Sequence, residues 1–345
     1  MNLIISLFLI TMCHTYGKNY NVNYGWEIFE YTQSARTASL GGAVTADNNS
    51  GSSSMRNPVF SKINKKHISI THQDRFLGML NTDFISLDIK NNKRNINLNL
   101  IYESIGDIPD TRNVLLDWGY DGQFGTNDLG EGNGILDEGE RLDIEKIHFF
   151  TQSRIGIYGA STKEIFSLPV GFGLKIISTS LNDENSLGLG FDIGTLRKTN
   201  KTTYALILEN FPSSGVIWNN GSIERTFPSL KIGLNQILHF KNIQAKLLFS
   251  NKISLSERHL DSQFRRNNLS MDFSFGSEII LREKLFLRVG RNYVNNFTGG
   301  LGVSFNEFNI DYAFLNSSYN YDLGSHHIIS FSISYKWISD KLSGI

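Results

Sequence analysis

Near the end of the chain, Ile329, Phe331, Ile333, Tyr335 and Trp337 alternate with Ser330, Ser332, Ser334 and Lys336. Successive side chains on a strand point to opposite faces, so this run makes one apolar face and one polar face. The same period recurs in Ile96, Leu98, Leu100 and Tyr102, in Val170, Phe172, Leu174 and Ile176, and in Leu187, Leu189, Phe191 and Ile193. It returns in Tyr204, Leu206 and Leu208, in Leu230, Ile232 and Leu234, in Ala245, Leu247 and Phe249, and in Leu269, Met271, Phe273 and Phe275. Helical spacing is scarce by comparison. Each run is about one membrane-crossing strand long. Asn306 and Glu307 separate Phe305 from Phe308 as a two-residue hairpin requires, and Asn91, Asn92 and Lys93 do the same between Ile89 and Ile96. Residues 105–150 and 251–268 are long connections, and short turns at one end with long loops at the other are usual for outer-membrane barrels.

Two architectures share this alternation: sheets stacked over a soluble core, and a barrel whose greasy side faces lipid. No repeat of propeller length is found. The second faces carry Ser, Asn, Lys, Arg and Gly and few large apolar groups, which suits a water-filled or plugged lumen with lipid outside. The expected fold is therefore all-β, a transmembrane antiparallel β-barrel of about 14 strands over residues 66–338. Residues 18–65 differ, being rich in Ser, Gly, Ala and Asn, and are expected to form an N-terminal plug-like or first-strand segment.

Composition narrows the classes further. The chain has 345 residues, 24 Phe, 13 Tyr and only 5 Pro, a mixture that favours sheets. A formal net charge of zero gives nucleic acid no electrostatic footing. The apolar stretch from Leu3 to Met12, followed by Thr15 and Gly17, reads as a signal peptide over residues 1–17, although no Lys or Arg precedes it. The one cysteine, Cys13, lies inside it. Beyond it no apolar run reaches the roughly 18 residues of a transmembrane helix, so a crossing must be made by strands.

The stretch "ARTASLGGAVTADNNSGSSSMRNPVF" contains Ala35, Arg36, Gly41, Gly42, Ala43, Asn57 and Pro58. It resembles the N-terminal signature of the PorV/PorQ family of outer-membrane proteins, themselves related in fold to FadL-type barrels. "LGLGFDIGTL", "FPSLKIGL", "FTGGLGVSFNEFNIDYAF" and "DLGSHHIISFSISY" resemble the family as well. The chain departs from the family pattern at Asp47, Asn48 and Asn49 and at Val59, Phe60 and Ser61. The resemblance implies a non-enzymatic barrel of the bacterial outer membrane. One implied role is a partner in type IX-like secretion, meeting secretion-channel and cargo proteins. The other is a FadL-like passage for hydrophobic small molecules.

Candidate chemistry is sparse. In residues 117–143, counting Leu129 as the first position of an EF-hand-like loop puts Glu131 at position 3, Asn133 at 5, Gly134 at 6, Asp137 at 9 and Glu140 at 12. These residues are candidate calcium ligands, though Leu129 cannot ligate; the other reading is an acidic, solvated external loop. No catalytic residue is assigned, because neither a His-Glu-x-x-His nor a Gly-x-Ser-x-Gly pattern occurs. His326 and His327, being adjacent, fall on opposite faces of a strand and cannot share a metal. Tyr293, Tyr312, Tyr319, Tyr321, Tyr335 and Trp337 are expected in interfacial aromatic girdles.

Overall fold

The computed structural model describes residues 19–21, 25–31, 33–48, 52–61, 67–91, 94–241, 243–254, 262–267, 269–316, 325–335 and 337–338. The expected leader with Cys13, and Tyr319 and Tyr321, lie outside these residues. As the alternation predicts, 14 antiparallel strands close into a barrel. In chain order they are His67–Arg75, Leu80–Asn91, Arg94–Asp110, His148–Ile165, Leu168–Leu181, Glu184–Lys198, Thr202–Glu209 resuming at Ser214–Trp218, and Ile223–Thr226 resuming at Ser229–Phe240. Ile243–Ser254, Leu269–Leu281, Leu285–Arg291, Phe297–Phe305, Phe308–Leu315 and His326–Ser334 complete the wall.

Closure follows from register. The last strand pairs with the first, Phe331 opposite Ile70, so this seam leaves no free edge. From there the outward positions continue strand by strand. Ile70 faces Ile85, then Leu100, Ile157, Ile176 and Leu189 in one direction. In the other, Phe331 faces Ile310, then Val303 and Leu285. Exposed Ile, Leu, Val and Phe thus form a belt around the outside, which only hydrocarbon can cover. The turn between Phe305 and Phe308 is the expected two-residue hairpin, with Asn306 in the left-handed region at φ 52°.

Residues 25–31, 33–48 and 52–61 fill the lumen. Short helices at Ile28–Tyr31, Ala35–Ser39 and Ser53–Arg56 and a 3-10 turn at Pro58–Ser61 build this segment. Ser34 caps the second helix by accepting a hydrogen bond from the Thr37 amide. Trp26, Ile28, Phe29 and Met55 pack against Phe84, Ile101, Tyr158 and Ile177, which point inward from the wall. The lumen face is therefore more apolar than the sequence suggested, because the plug brings its own apolar side chains.

The plug descends through the barrel. Asn19–Asn21 pairs in parallel with Ile223–Arg225 just below the loop at 219–222, at the long-loop end. Pro58 and Val59 sit against Gly171, near the two-residue turn at Phe166 and Ser167. In outer-membrane barrels the long loops are extracellular and the short turns periplasmic.

Candidate functional site

The residues of the N-terminal signature form the seam between plug and wall. Arg36 is the anchor. Its Nε donates to Glu278 Oε1 at 2.9 Å, and its terminal nitrogen donates to Glu278 Oε2 at 2.8 Å and Asp47 Oδ2 at 2.6 Å. Glu278, fully buried, also accepts from Arg288 Nε at 2.7 Å and lies 3.3 Å from Lys246. Arg288 reaches Asp311 at 2.6 Å, and Lys246 lies 3.5 Å from Asp47. Arg36, Lys246 and Arg288 thus balance Asp47, Glu278 and Asp311, a condition for keeping charges out of water. Asp47 stands where the sequence departs from the family signature, yet here it is one of the three anions.

The glycines of the resembling stretches explain themselves by contact. A Cβ on Gly194 would lie 2.0 Å from Asn57 Oδ1, one on Gly233 2.6 Å from Thr45 Cβ, and one on Gly300 2.5 Å from Ser39 Cβ. Gly41 sits at φ +63° with the Arg291 backbone against it, so both its conformation and its space exclude a side chain. Asn57 donates to the Thr45 carbonyl in the plug and to the Leu206 carbonyl in the wall, each at 3.3 Å. Ala35 donates its amide to Ser330 Oγ at 2.7 Å. Gly42 and Ala43 complete the turn after the second helix, the Ala43 amide bonding the Leu40 carbonyl at 3.1 Å.

A second constellation lies where the wall is interrupted. Glu209 pairs with Ser229, but the ladder resumes only at Ser214 with Thr226, leaving Asn210–Ser213 and Phe227–Pro228 outside it. The cause is local, since Pro212 and Pro228 each lack the N–H a ladder needs. Asn210 holds the interruption together. Its amide donates to Asp192 Oδ1 at 2.9 Å, and its Oδ1 accepts from Lys175 Nζ and Ser214 Oγ, both at 3.0 Å. Behind it is a cavity of about 50 Å³ between plug and wall. Trp26, Phe29 and Met55 line it from the plug, and Lys175, Phe227 and Lys252 from the wall. Lys252 pairs with Glu30, and Lys231 bridges Glu209 at 2.9 Å and Glu30 at 3.4 Å. Arg56 donates to the Phe29 and Glu30 carbonyls, fixing the end of the first helix.

A neighbouring cavity of about 40 Å³ includes Tyr293. This corrects the expectation for Tyr293, which lines that cavity with Gly41, Gly42 and Arg56 of the plug. Tyr312 and Tyr335 are exposed on the outer side, and Trp337 packs edge-on against Phe308 with ring centres 5.0 Å apart. Each of the two cavities has room for a few waters at most.

In the acidic loop, the candidate calcium ligands end turns. Glu131 accepts from the Gly125 and Asn127 amides, and Glu140 from the Gly119 and Asp137 amides at 2.8 and 2.9 Å. Asn133 Nδ2 donates to Asp137 Oδ2 at 2.6 Å. Asp117, absent from the EF-hand count, accepts from the Gly132 and Gly134 amides at 2.7 Å each. Among the described residues no three His, Cys, Asp or Glu side chains are grouped so as to hold a metal.

No protein-family model matches this chain. No curated protein is similar to it in sequence. Solved structures share its architecture. CymD, a monoaromatic hydrocarbon channel, superposes with a TM-score of 0.51 at 12% identity, over 87% of this chain and 96% of its own. A TodX deltaS2S3 mutant, also a monoaromatic hydrocarbon channel, gives 0.50 at 12% identity, over 88% and 99%. At such identity the likeness is one of fold. The chain is an outer-membrane β-barrel.

Proposed function

We propose that this barrel is a gated, non-enzymatic passage for small, largely apolar molecules, with the cavity beside Asn210 as its binding place. One observation carries this reading: the interruption of the seventh and eighth strands coincides with a cavity where Trp26, Phe29, Met55 and Phe227 meet Glu30, Lys175 and Lys252. Ladder bonds are what make a barrel wall impermeable, and a stretch without them is the cheapest place to open. At about 50 Å³ the cavity is far below the roughly 300–1,000 Å³ of a drug-sized site, so uptake requires the plug to move. Both solved channels named above carry monoaromatic hydrocarbons, in keeping with this reading. The test is uptake of a labelled aromatic hydrocarbon by cells carrying the barrel. Faster uptake than in barrel-free cells, lost in Phe29→Asp and Met55→Asp, supports the passage. Uptake equal to that of barrel-free cells defeats it.

A second reading, a secretion-associated partner barrel of the PorV/PorQ type, draws support from the plug packed inside the barrel, since a docking protein needs no conduit, and from the signature residues. Co-purification with a large secretion channel or with cargo tails supports it; recovery of neither counts against it.

A further inference from the structure

The loop at residues 111–147 buries Val114 but leaves most of its large apolar side chains outside, and that gives it a second role independent of the lumen. It stands well clear of the belt. The third and fourth strands run past the Leu100–Ile157 pair to Asp110 and His148, about 30 Å along the strand at roughly 3.3 Å per residue. Within the loop four of the nine carboxylates turn inward. Asp117, Asp128, Glu131 and Glu140 accept backbone amide hydrogens from segments far apart in the loop. With these carboxylates turned in beside Val114, other large apolar side chains are left outside: Phe124 is 79% exposed, Leu129 80% and Ile144 74%, with Ile135 and Leu136 exposed as well. Apolar side chains held out by a well-bonded loop, beyond the reach of lipid, mark an interaction surface.

Charge identifies what fits. Residues 111–147 contain nine Asp and Glu against three Arg and Lys, while the whole chain is neutral. Anionic lipid is repelled by such a surface, and so is the same loop of a second copy. We infer that this extracellular loop is a docking surface for a polypeptide segment in which Lys or Arg alternates with large apolar residues. The apolar side chains supply burial and the acidic field supplies steering and partner choice.

The test uses the full chain in phosphatidylcholine nanodiscs and two fluorescent peptides, one alternating Lys with Leu and one alternating Lys with Ser, each read against empty discs. Two variants are compared after heat-modifiable gel migration has shown that each forms the barrel: Phe124→Ser with Leu129→Ser and Ile135→Ser, and Glu138→Lys with Glu145→Lys, exposed carboxylates that hold no turn. The Lys/Leu peptide is expected to bind the unaltered chain saturably, at least tenfold tighter than it binds either variant and tenfold tighter than the Lys/Ser peptide binds. Equal affinity for the chain and both variants, or for the two peptides, overturns the inference. Pairing of unaltered discs in mass photometry that is lost in the serine variant also overturns it, by making a second copy the occupant.

Discussion

Replacing Arg36 by Met removes one of three cations from the buried network between plug and wall. Glu278, Asp47 and Asp311 are then left against Lys246 and Arg288 alone, one negative charge in excess where side chains are almost wholly buried. Breaking a buried pair from one side costs about 3–5 kcal/mol. If the cost falls on plug docking, the plug opens roughly 10²–10⁴ times more often at about 1.4 kcal/mol per tenfold. The wall keeps its ladders, so barrel closure is unaffected. Hydrogen–deuterium exchange of peptides covering residues 33–48, against peptides from the strands, separates the two. Removing Glu278 as well, as Arg36→Met with Glu278→Met, restores two cations against two anions, and exchange is expected well below the sum of the single effects. A change of less than tenfold in Arg36→Met, or strict additivity in the double variant, would refute the argument that charge balance holds the plug.

Gly171→Ala places a Cβ 2.0 Å from the Val59 amide nitrogen, so it should displace the Pro58–Ser61 turn while leaving heat-modifiable migration intact; unchanged proteolysis of that turn would count against the close-packed seam. The Asp117 carboxyl is held below the usual carboxylate value chiefly by the Gly134 amide, with the Gly132 amide adding to it. Its stabilisation of the loop is therefore present above about pH 3.9 and is lost as pH falls through the lower folded value, which the Gly132 and Gly134 amide shifts in an NMR titration should follow. Calcium at Glu131, Asn133, Asp137 and Glu140 would have to replace amide hydrogen bonds. Titration calorimetry is accordingly expected to give no saturable heat with calcium; a saturable heat from the unaltered chain, lost in Asp137→Ala with Glu140→Ala, would restore the calcium reading.

Alternation along the sequence placed most of the strands, their outward faces and the Asn306–Glu307 hairpin. A two-residue period and an Asn-Glu hairpin are local properties that need no knowledge of neighbours, which is why Ile329 to Ser334 could be placed on one lipid-facing strand from the alternation alone. The sequence also marked the plug segment and the acidic loop, through composition. What it could not determine is which inward polar residues meet. Arg36, Asp47, Lys246, Glu278, Arg288 and Asp311 are brought together only because register around a closed barrel places the ninth, tenth, eleventh and thirteenth strands beside the second plug helix. A one-residue slip in any of these strands would send its charge into lipid. Likewise Phe211–Pro212 and Phe227–Pro228 are plain in the sequence, but only pairing sets the two breaks side by side and turns two weak points into one interruption with a cavity behind it.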